Sequence, residues 1–376
     1  MPEQVVVLGA GPAGLAVGAM LRERGLDPLV VDRADAVGST WREQYDRLHL
    51  HTARWLSQLP GLRMPRSYGR FVARRDVVEY LEAYAAHHRL RLALSSEVRY
   101  VERVPGGWRL QTPSGPLEAS YVVIATGYNH TPVLPDWPGV ETFTGELVHA
   151  AGYRNPAPYR GKSVLVVGAG NTGAEIAVDL VEGGARNVRM AVRTLPNIVR
   201  REVMGVPSQA VSVLVRHLPP PVVDRALRVV QRATVPDLTD VGLPLPVDGI
   251  YTRLLRDNAI PVLDVGLVAA VQRGQVTVVH AVEALDGADV LLADGSRVAP
   301  DVVIVAAGYR QGLEPLLGHL GVLGPEGRPR VRGAMTDPHA PGMWFTGYTN
   351  PISGMLREIS LDARRIARAV SGLTAR

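Results

Sequence analysis

Cysteine is absent from all 376 residues of the sequence. That absence excludes disulfides, iron–sulfur clusters and dithiol redox relays, and it fits a reducing compartment. Lysine is nearly absent too: Lys162 is the only one, so the 41 basic residues are otherwise arginine. These arginines are scattered among 36 acids and form no long basic run with interleaved aromatics, so a net charge of +5 does not point to nucleic acid. No apolar run approaches the roughly 18 residues of a spanning helix. The first strand pattern opens so early that the sequence leaves no room for a signal peptide. The expectation is a cytoplasmic protein without stable membrane insertion. No G-x-S-x-G elbow marks a hydrolase. His87, His88 and His217 lack metal-ligand spacing with carboxylates, so no metal is expected.

Two stretches say nearly the same thing. "VVVLGAGPAGLA" at 5–16 and "VLVVGAGNTGAEIA" at 164–177 each run apolar, largely valine residues into G-x-G-x-x-G and then into a small-residue helix start. The first glycine permits a tight turn, the second lets backbone approach a pyrophosphate, and the third lets helix pack closely on strand. The phosphate then sits at the positive helix N-terminus. A lone pattern of this kind is weak, and its context decides. In the first copy, "PLVVDRA" at 28–34 places Asp32 18 residues beyond Gly14, where an acid bonds ribose hydroxyls. Gly9, Gly11, Pro12, Ala13 and Gly14, with Asp32 and its neighbour Arg33, therefore read as an FAD site. In the second copy, "VRMAVRT" places Arg193 20 residues beyond Gly173, and an arginine there accommodates a 2′-phosphate. Gly168, Gly170, Asn171, Thr172 and Gly173, with Arg193, read as an NADPH site, and Arg200 and Arg201 are further candidates for the phosphate.

The remaining pattern supports two Rossmann-like nucleotide-binding domains in an α/β, glutathione-reductase-like two-dinucleotide flavoprotein fold. Strand 4–8, helix 12–25 and strand 28–34 open the first. "YVVIATGYN" at 121–129 and "DVVIVAAGYR" at 301–310 are strands running into small residues that let backbone pass close to a cofactor, namely Ala125, Thr126 and Gly127, then Ala307, Gly308 and Tyr309. Each follows a hairpin-like stretch, the second with Asp294-Gly295 as a turn. "GMWFTGYTN" at 342–350, with Gly347, and a helix near 353–371 close the first domain. The boundaries expected are 1–155 and 301–376 for the FAD domain and 156–300 for the inserted NADPH domain, with "RNPAPYRG" at 154–161 as linker. Residues 204–250 form a helical insertion. Its Val222, Val223, Ala226, Val229, Val230 and Ala233 share a helical face opposite Arg225, Arg228 and Arg232. That stripe predicts a helix packed on its own domain, with a substrate lid or surface attachment as alternatives.

"FTGELVHAAGY" fits F-x-G-x-x-x-H-x-x-x-Y through Phe143, Gly145, His149 and Tyr153, just before the second fingerprint. This arrangement resembles the flavin-containing monooxygenases of class B. "YDRLHLHT" at 45–52, "LPGLRMP" at 59–65, "RREVMGVPS" at 200–208, "VVDRAL" at 222–227 and "PVLDVGLVAAVQRGQV" at 261–276 are similar to segments of the plant YUCCA-type branch, in the same order. The resemblance implies an FAD- and NADPH-dependent monooxygenase. Such an enzyme uses a C4a-(hydro)peroxyflavin to oxygenate a small organic substrate with O2: a 2-keto acid or ketone, or a soft nitrogen or sulfur nucleophile. In the plant branch the substrate is an indole-bearing 2-keto acid.

By the same resemblance Trp41, Arg42, Leu50 and His51 line the flavin, and a neutral His51 imidazole hydrogen-bonds the flavin peroxide. His51 stands where the animal-type branch carries asparagine. His51 and Asn171 are the catalytic candidates, and Tyr153 is a cofactor contact or linker packing. "GYTNPISGMLREIS" departs from the plant wording. The competing class is a ferredoxin- or rubredoxin-type flavin reductase without oxygen insertion, and a redox-sensing FAD-binding protein is a third. A disulfide reductase is excluded by the missing cysteines. A homodimer is left open.

Overall fold

Val5, Val6, Val7 and Leu8 are all buried, which suits a strand covered on both faces of a largely parallel sheet. In the computed structural model, which describes residues 3–215 and 218–374, this run is β1 (Glu3–Leu8). Strands β2 (Leu29–Val31) and β6 (Gly115–Ile124) flank it in parallel, and β3 (Arg91–Ala93) lies beyond β2. Strands β4 (Tyr100–Val104) and β5 (Gly107–Thr112) add an antiparallel meander, giving the order β3-β2-β1-β6-β5-β4. The first half of β6 pairs with β5, and its second half with the parallel strand Met343–Phe345. Helix Pro12–Arg22 follows β1 and packs on the closing helix Met355–Thr374.

A second sheet repeats the motif with parallel strands only. Its members are β7 (Glu146–His149), β8 (Ser163–Val167), β9 (Asn187–Val192), β10 (Val276–His280) and β11 (Val302–Val305), in the order β10-β9-β8-β11-β7. Along β8, Val164 and Val166 enter one core while Leu165 enters the other with Val303 and Val305. The fingerprint helix Asn171–Glu182 follows β8. In each sheet, the strand before the glycines lies between the next strand and one that ends in small residues.

The chain divides into two compact units: Met1–Glu43, Thr52–Thr131 and Tyr309–Arg376 form one, and Gln44–His51 with Pro132–Gly308 the other. These boundaries differ from those expected. The second unit begins at 132 because β7 is hydrogen-bonded to β11, so "RNPAPYRG" is no linker. Its Tyr159 is buried and stacks on Tyr153 at 5.5 Å. Residues 44–51, expected in the first domain, belong to the second unit as well.

The insertion contains helices Ser208–Val215, Pro220–Thr234 and Ile250–Asp257. Its apolar stripe is a correction. Val222, Ala226, Val229, Val230 and Ala233 are exposed, and only Val223 of the predicted face is buried. Helix Pro220–Thr234 docks through polar side chains instead. Asp224 accepts hydrogen bonds from Tyr251 N (2.6 Å) and Thr252 N (3.1 Å), Arg228 donates to Pro246 O (3.3 Å), and Gln231 donates to Ile198 O (2.8 Å). The first amides of helix Ile250–Asp257 are thereby given a carboxylate partner. His217 lies outside the described residues.

Both fingerprint turns depend on a missing methyl. A Cβ on Gly14 would overlap the Gly9 carbonyl oxygen, and one on Gly173 the Gly168 carbonyl oxygen, each inside the 3.0 Å that real Cβ atoms keep. Gly14→Ala and Gly173→Ala are therefore expected to lower the melting temperature, in line with overpacking costs of about 1–3 kcal/mol or more. Gly11→Ala, whose methyl meets nothing within 4 Å of protein, should melt as wild type does once bound nucleotide is stripped from all the proteins. Differential scanning calorimetry of the three variants makes the comparison.

Candidate functional site

The first turn is built by backbone. Gly9 has φ +109° and donates to Val31 O at 2.7 Å, which fixes the crossing from β1 to the helix. Its missing Cβ admits the Ala125 carbonyl at the end of β6. The space above Gly11 is open, and the helix starts at Pro12, which has no N–H to leave unsatisfied. Asp32 is held by two amides, accepting from Ala10 N (2.6 Å) and Ala34 N (2.8 Å). Each carboxylate oxygen keeps a further lone pair for a hydroxyl.

Beside this turn Thr126 is clamped: its N–H donates to Tyr348 Oη at 3.0 Å and its hydroxyl lies 2.8 Å from the same atom. Tyr348 is buried, which raises its phenol pKa. Gly127 and Gly347 take left-handed φ values of +98° and +84°, and a Cβ on Gly347 would come 3.0 Å from Ala13. Arg42 is committed to protein, donating to Val37 O at 3.0 Å and pairing with Glu82. Trp41 is half-buried and Arg33 exposed.

The second turn repeats this geometry. Gly168 has φ +114° and donates to Ala191 O at 3.0 Å, and its missing Cβ would lie 2.6 Å from Ala306 O. The space above Gly170 is open, and Thr172 is half-buried. Arg193 follows β9 at the place that Asp32 takes after β2. It is exposed and makes no hydrogen bond or ion pair among the described residues. Arg200 instead donates to Thr234 O at 2.7 Å, and Arg201 is half-buried, where desolvation lowers its pKa.

Two expected site residues are given other work. Asn171 donates to Pro261 O (3.1 Å) and accepts from Leu263 N (2.8 Å), so its amide pins the strand Val262–Asp264 to the fingerprint helix rather than standing free for catalysis. Tyr153 is fully buried and donates to Asp179 Oδ2 at 2.7 Å, which leaves neither ring nor hydroxyl for a cofactor. The linker motif is a clamp throughout. His149 Nδ1 accepts from Ala151 N at 3.0 Å, so Nε2 carries the hydrogen toward Gly308 O at 3.2 Å and positions the Ala307–Gly308 turn. Burial lowers the His149 pKa and keeps the ring neutral. Gly145 makes room for the Phe143 ring, 2.6 Å from where its Cβ would be.

The sequence pattern concealed what the second helix does with its acids. Glu175, Asp179 and Glu182 recur at i, i+4 and i+7, a spacing that puts them on one face. That face receives the segment 44–51. His51 Nε2 lies 2.7 Å from Glu175 Oε1, Arg47 lies 3.8 Å from Asp179, and Arg47 pairs with Glu182. Leu50 beside His51 is buried, and Tyr45 meets Tyr153 edge to face at 6.3 Å. The spacing of the acids was the available signal for this face. Tyr348 carried none. Among the described residues no group of three or more His, Asp or Glu gathers as a metal site, and no helix is long and apolar enough to cross a membrane.

Comparison with known proteins decides between classes that share this architecture. A family model described as pyridine nucleotide-disulphide oxidoreductase matches residues 6–217, more than half of the chain. The chain is 32% identical to the probable indole-3-pyruvate monooxygenase YUCCA9 of Arabidopsis thaliana, over 98% of this chain and 89% of that protein. It is 34% identical to the indole-3-pyruvate monooxygenase YUCCA1 of Oryza sativa subsp. japonica, over 97% and 90%. The chain belongs to the YUCCA-type flavin monooxygenases. A solved flavin-containing monooxygenase from Stenotrophomonas maltophilia covers all of both chains with a TM-score of 0.76 and 26% identity.

This monooxygenase works with FAD and NADPH, and its residues fit both. Each fingerprint offers an open space over its middle glycine at a helix N-terminus, one copy with a carboxylate and the other with a free guanidinium at the ribose position. The ferredoxin- or rubredoxin-type reductase alternative gains no support of its own from these relatives.

Burial raises the Asp179 pKa, against the Tyr153 hydrogen bond and Arg47, which lower it. A folded pKa above the unfolded value means that this acid costs stability once ionised, from about pH 4 upward. Tyr153→Phe removes the donor and leaves the carboxylate underpaired, a loss of about 1–3 kcal/mol. The melting-temperature gap between variant and wild type is expected to be larger at pH 7.5 than at pH 4.5, and thermal melts across that range check the sign.

Proposed function

We propose that this enzyme oxidatively decarboxylates an aromatic 2-oxo acid in an FAD- and NADPH-dependent reaction. The observation that carries the substrate class is the near-full-length likeness to proteins named indole-3-pyruvate monooxygenases. In balanced form, one 2-oxo acid, O2, NADPH and a proton yield the acid one carbon shorter, CO2, NADP⁺ and water. Bound flavin supplies the redox chemistry that activates dioxygen.

The chain's own residues bind, orient and exclude water. The amides that follow Gly9 and Gly168 would receive the two pyrophosphates, with Gly11 and Gly170 allowing close approach. Asp32 would accept from ribose hydroxyls. Arg193, the candidate arginine with no protein partner, would take the 2′-phosphate. His51 is assigned a hydrogen bond to the oxygen being transferred. A cytoplasmic location and a homodimer complete the reading, supported by the absence of cysteine and by the exposed valines of helix Pro220–Thr234.

The test is stoichiometry. Purified enzyme supplied with NADPH, O2 and a panel of aromatic 2-oxo acids, ketones, amines and sulfides should release one CO2 per NADPH oxidised with a 2-oxo acid. Products from amines or sulfides alone would move the substrate class to soft nucleophiles. Fast reduction of an added electron carrier without any oxygenated product would restore the reductase.

Arg193→Ala is expected to raise the KM for NADPH roughly ten- to a hundredfold, the loss of a charge-assisted hydrogen bond. Steady-state kinetics with both nucleotides should show NADH, which lacks the phosphate, nearly unaffected.

A further inference from the structure

The His51 side chain has one engaged nitrogen and one idle one. Its Nε2 lies 2.7 Å from Glu175 Oε1, while Nδ1 is buried and has no hydrogen-bond partner among the described residues. The Glu175 side chain is only 5% exposed. Glu175 Oε1 makes no hydrogen bond in this geometry, and its 2.7 Å approach to Nε2 is a contact that becomes one only on realignment of ring and carboxylate. A buried carboxylate is costly without partners, and the cationic groups within reach of Glu175 are Arg47 and Arg201, whose own pKa values register its charge.

We infer that Glu175 is the positioning residue of His51: it holds the hydrogen on Nε2 and leaves Nδ1 as the working nitrogen of the ring. A neutral imidazole carries its hydrogen on one nitrogen only, and a carboxylate acceptor selects the nitrogen it faces. With Nε2 so fixed, Nδ1 is a hydrogen-bond acceptor when the ring is neutral and a donor when it is protonated. Either way a single nitrogen is presented to an incoming group, in one orientation.

The second consequence comes from where Glu175 sits. It lies one turn from Asn171 in the helix whose N-terminus follows the glycines of the second fingerprint. Lower on the same face, Asp179 and Glu182 hold Arg47, four residues before His51. The imidazole is therefore oriented by the helix that follows the second fingerprint itself.

The inference rests on the reading that His51 serves oxygen transfer, and the experiment separates the two. Histidine-¹⁵N-labelled, FAD-loaded enzyme is examined by long-range ¹H–¹⁵N correlation, with His51→Gln assigning the signal. The wild type should show a single Nε2–H tautomer for His51, and an Nδ1–H tautomer would overturn the inference. Glu175→Met, which keeps length but removes the acceptor, should release the tautomer. It should also raise the share of NADPH lost as hydrogen peroxide about fivefold, the scale of one oriented hydrogen bond. Glu175→Gln retains an acceptor oxygen and should restore both. If Glu175→Met does not fold, Glu175→Ala replaces it. Wild-type behaviour in the acceptor-free variant overturns the inference. If His51→Gln leaves peroxide release unchanged, the catalytic reading of His51 fails, while the tautomer spectra still decide whether Glu175 holds the ring.

Discussion

Everything in this fold hangs on the approach of a backbone carbonyl to a bare α-carbon, made twice at each fingerprint turn. Gly9 admits the Ala125 carbonyl while Gly14 admits that of Gly9, and Gly168 and Gly173 repeat the pair with Ala306 and Gly168. The consequence is positional. With helix and strand this close, the first amides of the helix point at the space over the middle glycine, and the small residues ending the neighbouring strand line it. A methyl at the third glycine would push the helix away and disperse those amides. The open space at the helix N-terminus is thus a by-product of packing, which explains why the two copies are so alike in geometry while differing in the residue that follows the second strand.

The second copy loads its helix more heavily than the first. Helix Pro12–Arg22 has no acid and buries apolar side chains. Helix Asn171–Glu182 uses one face for the core through Ile176, Ala177 and Leu180 and another for Glu175, Asp179 and Glu182. Buried ionic contacts add little net stability, because desolvation offsets attraction, but losing one partner is expensive. Their effect is to fix one arrangement. The segment 44–51 leaves the first unit's sequence and joins the second because these acids, and Asn155 with Asp46 at 3.2 Å, give it partners.

This division of labour explains what could be read in the sequence. Glycine turns, β-branched runs and the residues at the ribose position follow from local geometry, so the strands, both helices and the paired nucleotide sites were legible. The Asp294-Gly295 turn was legible for the same reason: Gly295 takes φ +80° and Ser296 N donates to Asp294. Long-range polar docking was not. Helix Pro220–Thr234 carries a valine stripe that periodicity assigns to the core, yet Asp224 and Gln231 find backbone partners that no pattern reveals. The side-chain bonds of Asn171 were hidden in the same way, because a fingerprint position does not announce that its amide closes two bonds to residues 261–263. The domain boundary failed since proline and arginine at 154–161 look like a linker until Tyr159 stacks under Tyr153.

A scaffold shared with disulfide reductases, in a chain lacking cysteine, shifts the burden of chemistry onto bound cofactors and onto how still the protein holds them. The clamps found here share one design. Tyr348 holds Thr126 and His149 holds Gly308 through backbone atoms of the small-residue turns, and Tyr153 ends on a buried carboxylate of the nucleotide helix. Tyr348 and Tyr153 are buried and His149 is half-buried, so water competes little for the bonds they make. Such clamps suit an enzyme whose reactive oxygen must be kept from water, because a turn that fluctuates admits solvent and wastes reductant as peroxide. His51 differs from these clamps: one nitrogen lies 2.7 Å from Glu175 while the other is buried without a hydrogen-bond partner among the described residues. Unlike the clamping groups, that nitrogen is left to meet an incoming ligand.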